Sequence, residues 1–221
     1  MNETKTSVYD RAYKISVAVA VLFVLASLAM NYFAGVYATN HVSNSVSDIL
    51  LNILPVYNVT VIFVYGFIAF CVLVLVLMIR DLHELPFILK SIALFIAIRS
   101  IFVTLTHVGP SPSILVDFND FNFILKRTIF SGDLFFSGHT GLPFLMALIY
   151  WDNKFWRFFF LALSVTFGAS VLLGHLHYSI DVFAAFFIAH GVYRLAQIFF
   201  KKDLARFNRA MRSNSAADPS R

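Results

Sequence analysis

The sequence predicts an all-α, polytopic membrane protein with six transmembrane helices and both termini in the cytoplasm. Three observations carry this. Of its 221 residues, 59% are hydrophobic and only 13% charged, where an average soluble domain carries about 25% charged residues. The apolar residues gather into six runs, each at or near the roughly 20 residues that cross a hydrocarbon core of about 30 Å. The basic residues between the runs sort to one side once six spans are drawn.

Residues 1–14 are polar and charged and read as a cytoplasmic lead-in. The runs lie near 15–36, 59–79, 87–106, 138–151, 155–174 and 178–199. The first has no small-residue cleavage site, so it reads as a retained anchor rather than a signal peptide. The fourth is short, and the fifth and sixth nearly touch. Together, 15–199 form one membrane domain, and 200–221 form a basic tail expected to be disordered and cytoplasmic.

Lys5, Arg11 and Lys14 precede or open the first run, and Arg80 and Lys90 flank the second connection. Lys154 and Arg157 flank the fourth, while Lys201, Lys202, Arg206, Arg209 and Arg212 follow the last run. Six spans place all of these inside and leave Lys126 and Arg127 alone in the outer loops; five spans would mix them. The net charge of +5 is accounted for by this sorting and does not call for nucleic acid. Between His107 and Gly132, the stretch Ile114–Leu125 is too interrupted to span. It reads either as an amphipathic interfacial helix beside a lipid path or as an ordinary surface loop. The single cysteine, Cys71, sits inside an apolar run and reads as packing.

Polar residues distant in the chain converge on the outer face of this topology. Arg99 falls in the outer half of the third span. A central arginine costs roughly 2.5–3.5 kcal/mol on insertion scales, so it should face the bundle or a wet cavity. His139 opens the fourth span behind Ser137, a good N-cap, and Gly138, which admits close approach of a ligand. His175, His177 and Asp181 lie at the head of the sixth. His177 and Asp181, four apart, share a helical face; the carboxylate can fix the ring's tautomer and raise the basicity of the other nitrogen. A histidine oriented by a carboxylate is a nucleophile-plus-orienter arrangement. The fourth and sixth spans both run from outside to inside and present positive N-termini to one cavity, which suits a phosphate. His139 would there protonate a leaving oxygen. His139, His175, His177 and Asp181 could alternatively ligate zinc, although two histidines at i, i+2 on a helix point apart. His190, on the opposite face, reads as a buried interhelical hydrogen bonder.

The segments Ser131-Gly132-Asp133-Leu134-Phe135-Phe136-Ser137-Gly138-His139-Thr140 and Gly174-His175-Leu176-His177-Tyr178-Ser179-Ile180-Asp181-Val182 resemble the two signature motifs of sphingomyelin synthases, within the type 2 phosphatidic acid phosphatase (PAP2) superfamily. Arg99 to Thr106, followed by Pro110 and Pro112, is similar to that family's third-helix motif. Asp48, ahead of Pro55, is a weaker echo of an acidic motif before the second helix. The resemblance implies a phosphohistidine at His177, Asp181 as its orienter, and His139 as general acid and then base, with no metal and no cofactor. Arg99, Ser137, Gly138, Asp133, His175 and Tyr178 are the accompanying substrate- and phosphate-binding candidates. The chain departs from the superfamily's phosphatases: it has no K-x6-R-P motif, and Val171 stands where they carry an arginine six residues before the nucleophile. The implied activity is transfer of a phospholipid head group to a lipid alcohol, such as ceramide or diacylglycerol, at the exoplasmic face. A lipid phosphatase or phospholipase C-like hydrolase would use the same site. The alternative of another class is a non-catalytic lipid-binding or transport protein. The implied partners are a membrane phospholipid and an acceptor, with no nucleic acid.

Overall fold

A computed structural model describes residues 10–114 and 134–217. The described residues form seven helices: α1 (Arg11–Asn40), α2 (Val61–Arg80), α3 (Leu85–Leu105), α4 (Gly138–Ile149), α5 (Lys154–Leu173), α6 (Ser179–Phe199) and α7 (Lys201–Ala217). The first six answer to the six apolar runs. Five of them, α1, α2, α3, α5 and α6, are long and apolar enough to cross a membrane. With 12 residues, α4 rises about 18 Å, short of a hydrocarbon core of about 30 Å. Most of the stretch read as an interfacial helix or loop, together with Lys126, Arg127 and Asp133, lies outside the described residues.

Local sequence sets the helix ends. Ser137 caps α4 by accepting from the Thr140 N–H at 3.3 Å, and Asn153 caps α5 by accepting from the Trp156 N–H at 3.1 Å. Pro86 occupies the first turn of α3, where its missing N–H costs nothing. The opening of α2, Val61–Gly66, is π-helical, a widened turn that occurs mostly at functional sites.

The core is aromatic and tightly drawn. Phe87, Phe95, Phe136 and Phe160 are wholly buried. Ala185, Ala189, Val192 and Ala196 make the inward stripe of α6 at helical spacing. Gly141 lets α3 touch α4 directly: a Cβ there would stand 2.7 Å from the Phe95 ring. The outside is apolar too, with residues such as Leu22, Phe33, Ile79 and Phe187 exposed, as expected of a surface solvated by lipid. Between α1 and α3 runs an apolar groove of about 630 Å³, lined by Ala26, Ala29, Met30, Phe33 and Tyr37 of α1 and by Ser100, Ile101 and Thr104 of α3. The hydroxyls of Ser100 and Thr104 bond to the carbonyls of Ile96 and Ile101 in their own helix, so the groove presents hydrocarbon.

Three expectations are corrected here. The tail read as disordered is helical over Lys201–Ala217. Phe207 and Ala210 bury against the bundle, and Asp203 accepts from the Lys90 ammonium at 2.6 Å and from the Ser16 hydroxyl at 2.6 Å. His190 is exposed rather than buried, because Ala189 beside it takes the inward position. Cys71 is exposed and contributes no core packing.

Candidate functional site

The ends of α3, α4 and α6, with the start of α2, meet at one end of the bundle. The two histidine motifs are tied by backbone: the Ser137 N–H donates to the Asp181 carbonyl at 3.0 Å. Arg99 is buried, and its Nε donates to the Phe136 carbonyl at 3.1 Å. A Cβ on Gly138 would lie 3.5 Å from that Nε, so the guanidinium passes directly beneath the first residue of α4. Phe136, wholly buried, holds this place with φ of 27°, a conformation that costs a bulky residue of order 1–3 kcal/mol and recurs at functional sites. The first two N–H groups of α4, on Gly138 and His139, have no intrahelical acceptor by the geometry of any helix start. They sit beside Arg99 and form a positive pole.

His177 lies two residues before α6 begins. Its Nδ1 is 3.2 Å from Asp181 Oδ2, and both side chains are buried. The pairing is therefore not a shared helix face as expected. Asp181, at the third position of α6, reaches back over the helix start, where the same oxygen accepts the Tyr178 N–H at 3.0 Å. A carboxylate accepts only, so it fixes the proton on Nδ1 and leaves Nε2 as the basic, nucleophilic nitrogen.

His139 is fixed by α2. Its ring stacks on Phe63 with centroids 4.1 Å apart and packs against Phe67 at 4.1 Å. Its Nε2 donates to the Phe63 carbonyl at 3.1 Å, which belongs to the π-helical turn. A carbonyl can only accept, so Nε2 keeps its proton and Nδ1 is the nitrogen left for chemistry. His139 lies within electrostatic reach of both His177 and Arg99.

The other candidates serve the scaffold. Leu176 N–H donates to the Val171 carbonyl and His175 N–H to the Leu172 carbonyl, which is the Schellman pattern closing α5. His175 holds the left-handed position with φ of 51°. Its Nδ1 meets Ser113 Oγ at 3.2 Å and its Nε2 the Leu54 carbonyl at 3.3 Å, so both ring nitrogens are committed to loops. Gly174, just before, is required because a Cβ would stand 2.4 Å from Val59. The Tyr178 hydroxyl donates to the Gly109 carbonyl at 2.7 Å and accepts the Val46 N–H at 3.2 Å. No group of three or more potential metal ligands clusters among the described residues.

Sequence reasoning gave Asp48 little weight. Its Oδ2 accepts the Ser179 N–H at 2.7 Å and the Ser179 hydroxyl at 2.8 Å. Its Oδ1 accepts the Leu50 and Leu51 N–H groups at 2.9 and 3.1 Å. Desolvation would raise its pKa, but these hydrogen bonds outweigh it and hold the carboxyl below the usual range. The N-terminus of α6 is thus already occupied by a carboxylate, and of the two helix ends expected to receive a phosphate, α4 offers the open one.

No curated protein and no solved structure matches the chain. Residues 131–198 match the family model described as PAP2 superfamily C-terminal. That stretch contains α4, α5, and all of α6 but its last residue, and with them His139, His177 and Asp181, while Arg99 and Asp48 lie outside it. Residues 131–198 are thus similar to the PAP2 superfamily, whose members are generally phosphatases or phosphotransferases.

Proposed function

We propose that the chain is an integral-membrane lipid phosphotransferase of the sphingomyelin synthase type, working at the exoplasmic face through a phosphohistidine on His177. The observation that carries this reading is the Asp181–His177 pair standing beside the Arg99-backed N-terminus of α4. In the first step His177 Nε2 attacks the phosphorus of a phospholipid. The bond to the leaving lipid alcohol breaks, its electron pair goes to that oxygen, and His139 Nδ1 supplies the proton. Arg99 and the Gly138 and His139 N–H groups receive the charge that builds on the phosphoryl oxygens. In the second step neutral His139 Nδ1 takes the proton of an acceptor hydroxyl. That oxygen attacks phosphorus, and the N–P bond returns its pair to Nε2. Asp181 holds Nδ1–H of His177 throughout. With a ceramide or diacylglycerol acceptor the product is a new head-group lipid, and with water it is a hydrolysis product. The groove between α1 and α3 supports a lipid substrate: Ala26 to Tyr37 spans about 16 Å of helix, half the thickness of the hydrocarbon core.

The test is purified protein incubated with head-group-labelled phospholipids, with and without ceramide or diacylglycerol. The expected result is acceptor-dependent label transfer and an acid-labile phosphoenzyme, both lost in His177→Ala and retained in His190→Ala. Inhibition is expected with vanadate and not with chelators. Equal activity in the two variants, or no phosphoenzyme at all, leaves the non-catalytic reading standing.

A further inference from the structure

We propose that Asp48 is a positioning residue that sets the place of His177 from a loop 129 residues upstream. The proposal rests on the phosphohistidine reading for its effect on turnover, but its geometry stands apart from that reading. His177 sits in a turn that the Schellman hydrogen bonds and Asp181 close from within and that a distant loop anchors from outside. The residue at the left-handed position is His175 rather than glycine. The 41–57 loop supplies the outer set of holds. Tyr57 N–H donates to the Leu173 carbonyl at 2.8 Å, the Leu54 carbonyl receives His175 Nε2, and Val46 N–H donates to Tyr178. Asp48 is the charged member of this set and the one that grips α6 itself. It takes the first N–H of the helix and the hydroxyl of the same residue, Ser179, two residues from both His177 and Asp181.

A carboxylate is required because the residue works at both ends. One oxygen closes the Asp48–Leu51 turn by accepting two N–H groups, and the other accepts two donors from Ser179. An asparagine has one acceptor oxygen and a donor NH₂. It can keep the turn or the grip on α6, not both. The negative charge also answers the positive end of α6 and keeps that end from competing with α4 for a phosphate.

The experiment compares Asp48→Asn, Asp48→Ala and Ser179→Ala in the full chain in detergent. The probe that needs no substrate is diethyl pyrocarbonate, with carbethoxylation of each histidine followed by mass spectrometry. The exposed His190 is the internal reference. Loss of a charge-assisted pair of hydrogen bonds should raise the His177 rate relative to His190 by about fivefold or more in Asp48→Asn, with a smaller rise in Ser179→Ala, which keeps the N–H donor. Combined, the two changes should be less than additive, as for groups sharing one interaction. In the labelled-phospholipid assay kcat should fall roughly 10- to 100-fold, the scale of a small misplacement of a catalytic group, with KM moving little. If Asp48→Asn does not fold, Ser179→Ala carries the comparison. A His177 rate unchanged in every folded variant overturns the proposal. A raised His177 rate in a protein whose wild type transfers no phosphate overturns the functional reading and leaves the positioning role.

Discussion

At the residue scale the chemistry depends on which nitrogen of each histidine is free. Asp181 Oδ2 accepts from both His177 Nδ1 and the Tyr178 N–H. Asparagine at 181 could place its oxygen where Oδ2 stands and accept both, but it brings no charge to balance a cationic His177 ring, and the flipped amide turns its NH₂ on His177 and drives it into the wrong tautomer. Asp181→Asn should therefore lower the rate of phosphoenzyme formation by roughly 10³- to 10⁴-fold, measured by quenched-flow trapping, with little change in thermal unfolding. His177, Asp181, His139, Arg99 and the Ser137 cap were all legible in the sequence. Each is an unusual polar group at the head of an apolar run or, for Arg99, within one, and cap and carboxylate partners lie within four residues. The commitments of His175 and Tyr178 were not legible. Their partners lie 62 to 132 residues away, and spacing says nothing about which ring turns toward which loop. Asp48 was read only as a weak echo of an acidic motif for the same reason: its partner Ser179 lies 131 residues away. His190 was misplaced because one position decides whether a helical residue faces the alanine stripe or lipid.

At the scale of elements, the site is sharp because its helices are close. Gly141→Ala would press a Cβ onto the Phe95 ring at 2.7 Å, separating α3 from α4 and with it Arg99 from Gly138. Overpacking of this kind typically costs about 1–3 kcal/mol. A lowered midpoint of thermal unfolding in detergent is expected, with loss of activity at temperatures where the variant is still folded. The groove gives a second prediction. Ala29→Trp should fill it, raising KM for a long-chain phospholipid but not for its short-chain, water-dispersed counterpart. Equal effects on both would remove the groove from substrate binding. Helix boundaries agreed with the apolar runs within about four residues because hydrophobic length is itself the signal. The last element, α7, was hidden by its charge. Leu204, Phe207 and Met211 repeat at helical spacing, but the composition reads as solvated, and the docking partners Ser16 and Lys90 belong to α1 and α3.

At the scale of the whole molecule, the two ends of the bundle are built differently. The site end is polar and loop-covered. The opposite end is stitched by buried charge, with Lys90, Asp203 and Ser16 in mutual hydrogen bonds and Glu84 receiving the Tyr150 hydroxyl. Removing one partner of a buried pair typically costs about 3–5 kcal/mol, so Lys90→Ala should release α7 and expose its residues to proteolysis. Glu84 makes stability depend on pH. Burial pushes its carboxyl from 4.5 up to about 7, against the lowering effect of the Tyr150 hydrogen bond and with a smaller push from the Asp81 charge. The folded protein thus holds a proton that the unfolded chain has lost between these values. Stability is full below about pH 4.5 and declines as pH rises to 7, by up to about 3 kcal/mol, then stays level. Glu84→Gln, which keeps an acceptor for Tyr150, should flatten that slope in thermal unfolding measured from pH 5 to 8.

The left-handed histidine at 175 bears on how this site is assembled. Chains are made N-terminus first, so the 41–57 and 107–113 loops emerge well before the turn they will hold. Local hydrogen bonds close that turn, and the loops made earlier supply its outer clasp. On the proposed positioning role of Asp48, His177 is set only when α6 has arrived and closed against that carboxylate. On the phosphohistidine proposal, a chain halted before that point carries His139 and Arg99 without a completed site and is expected to be silent.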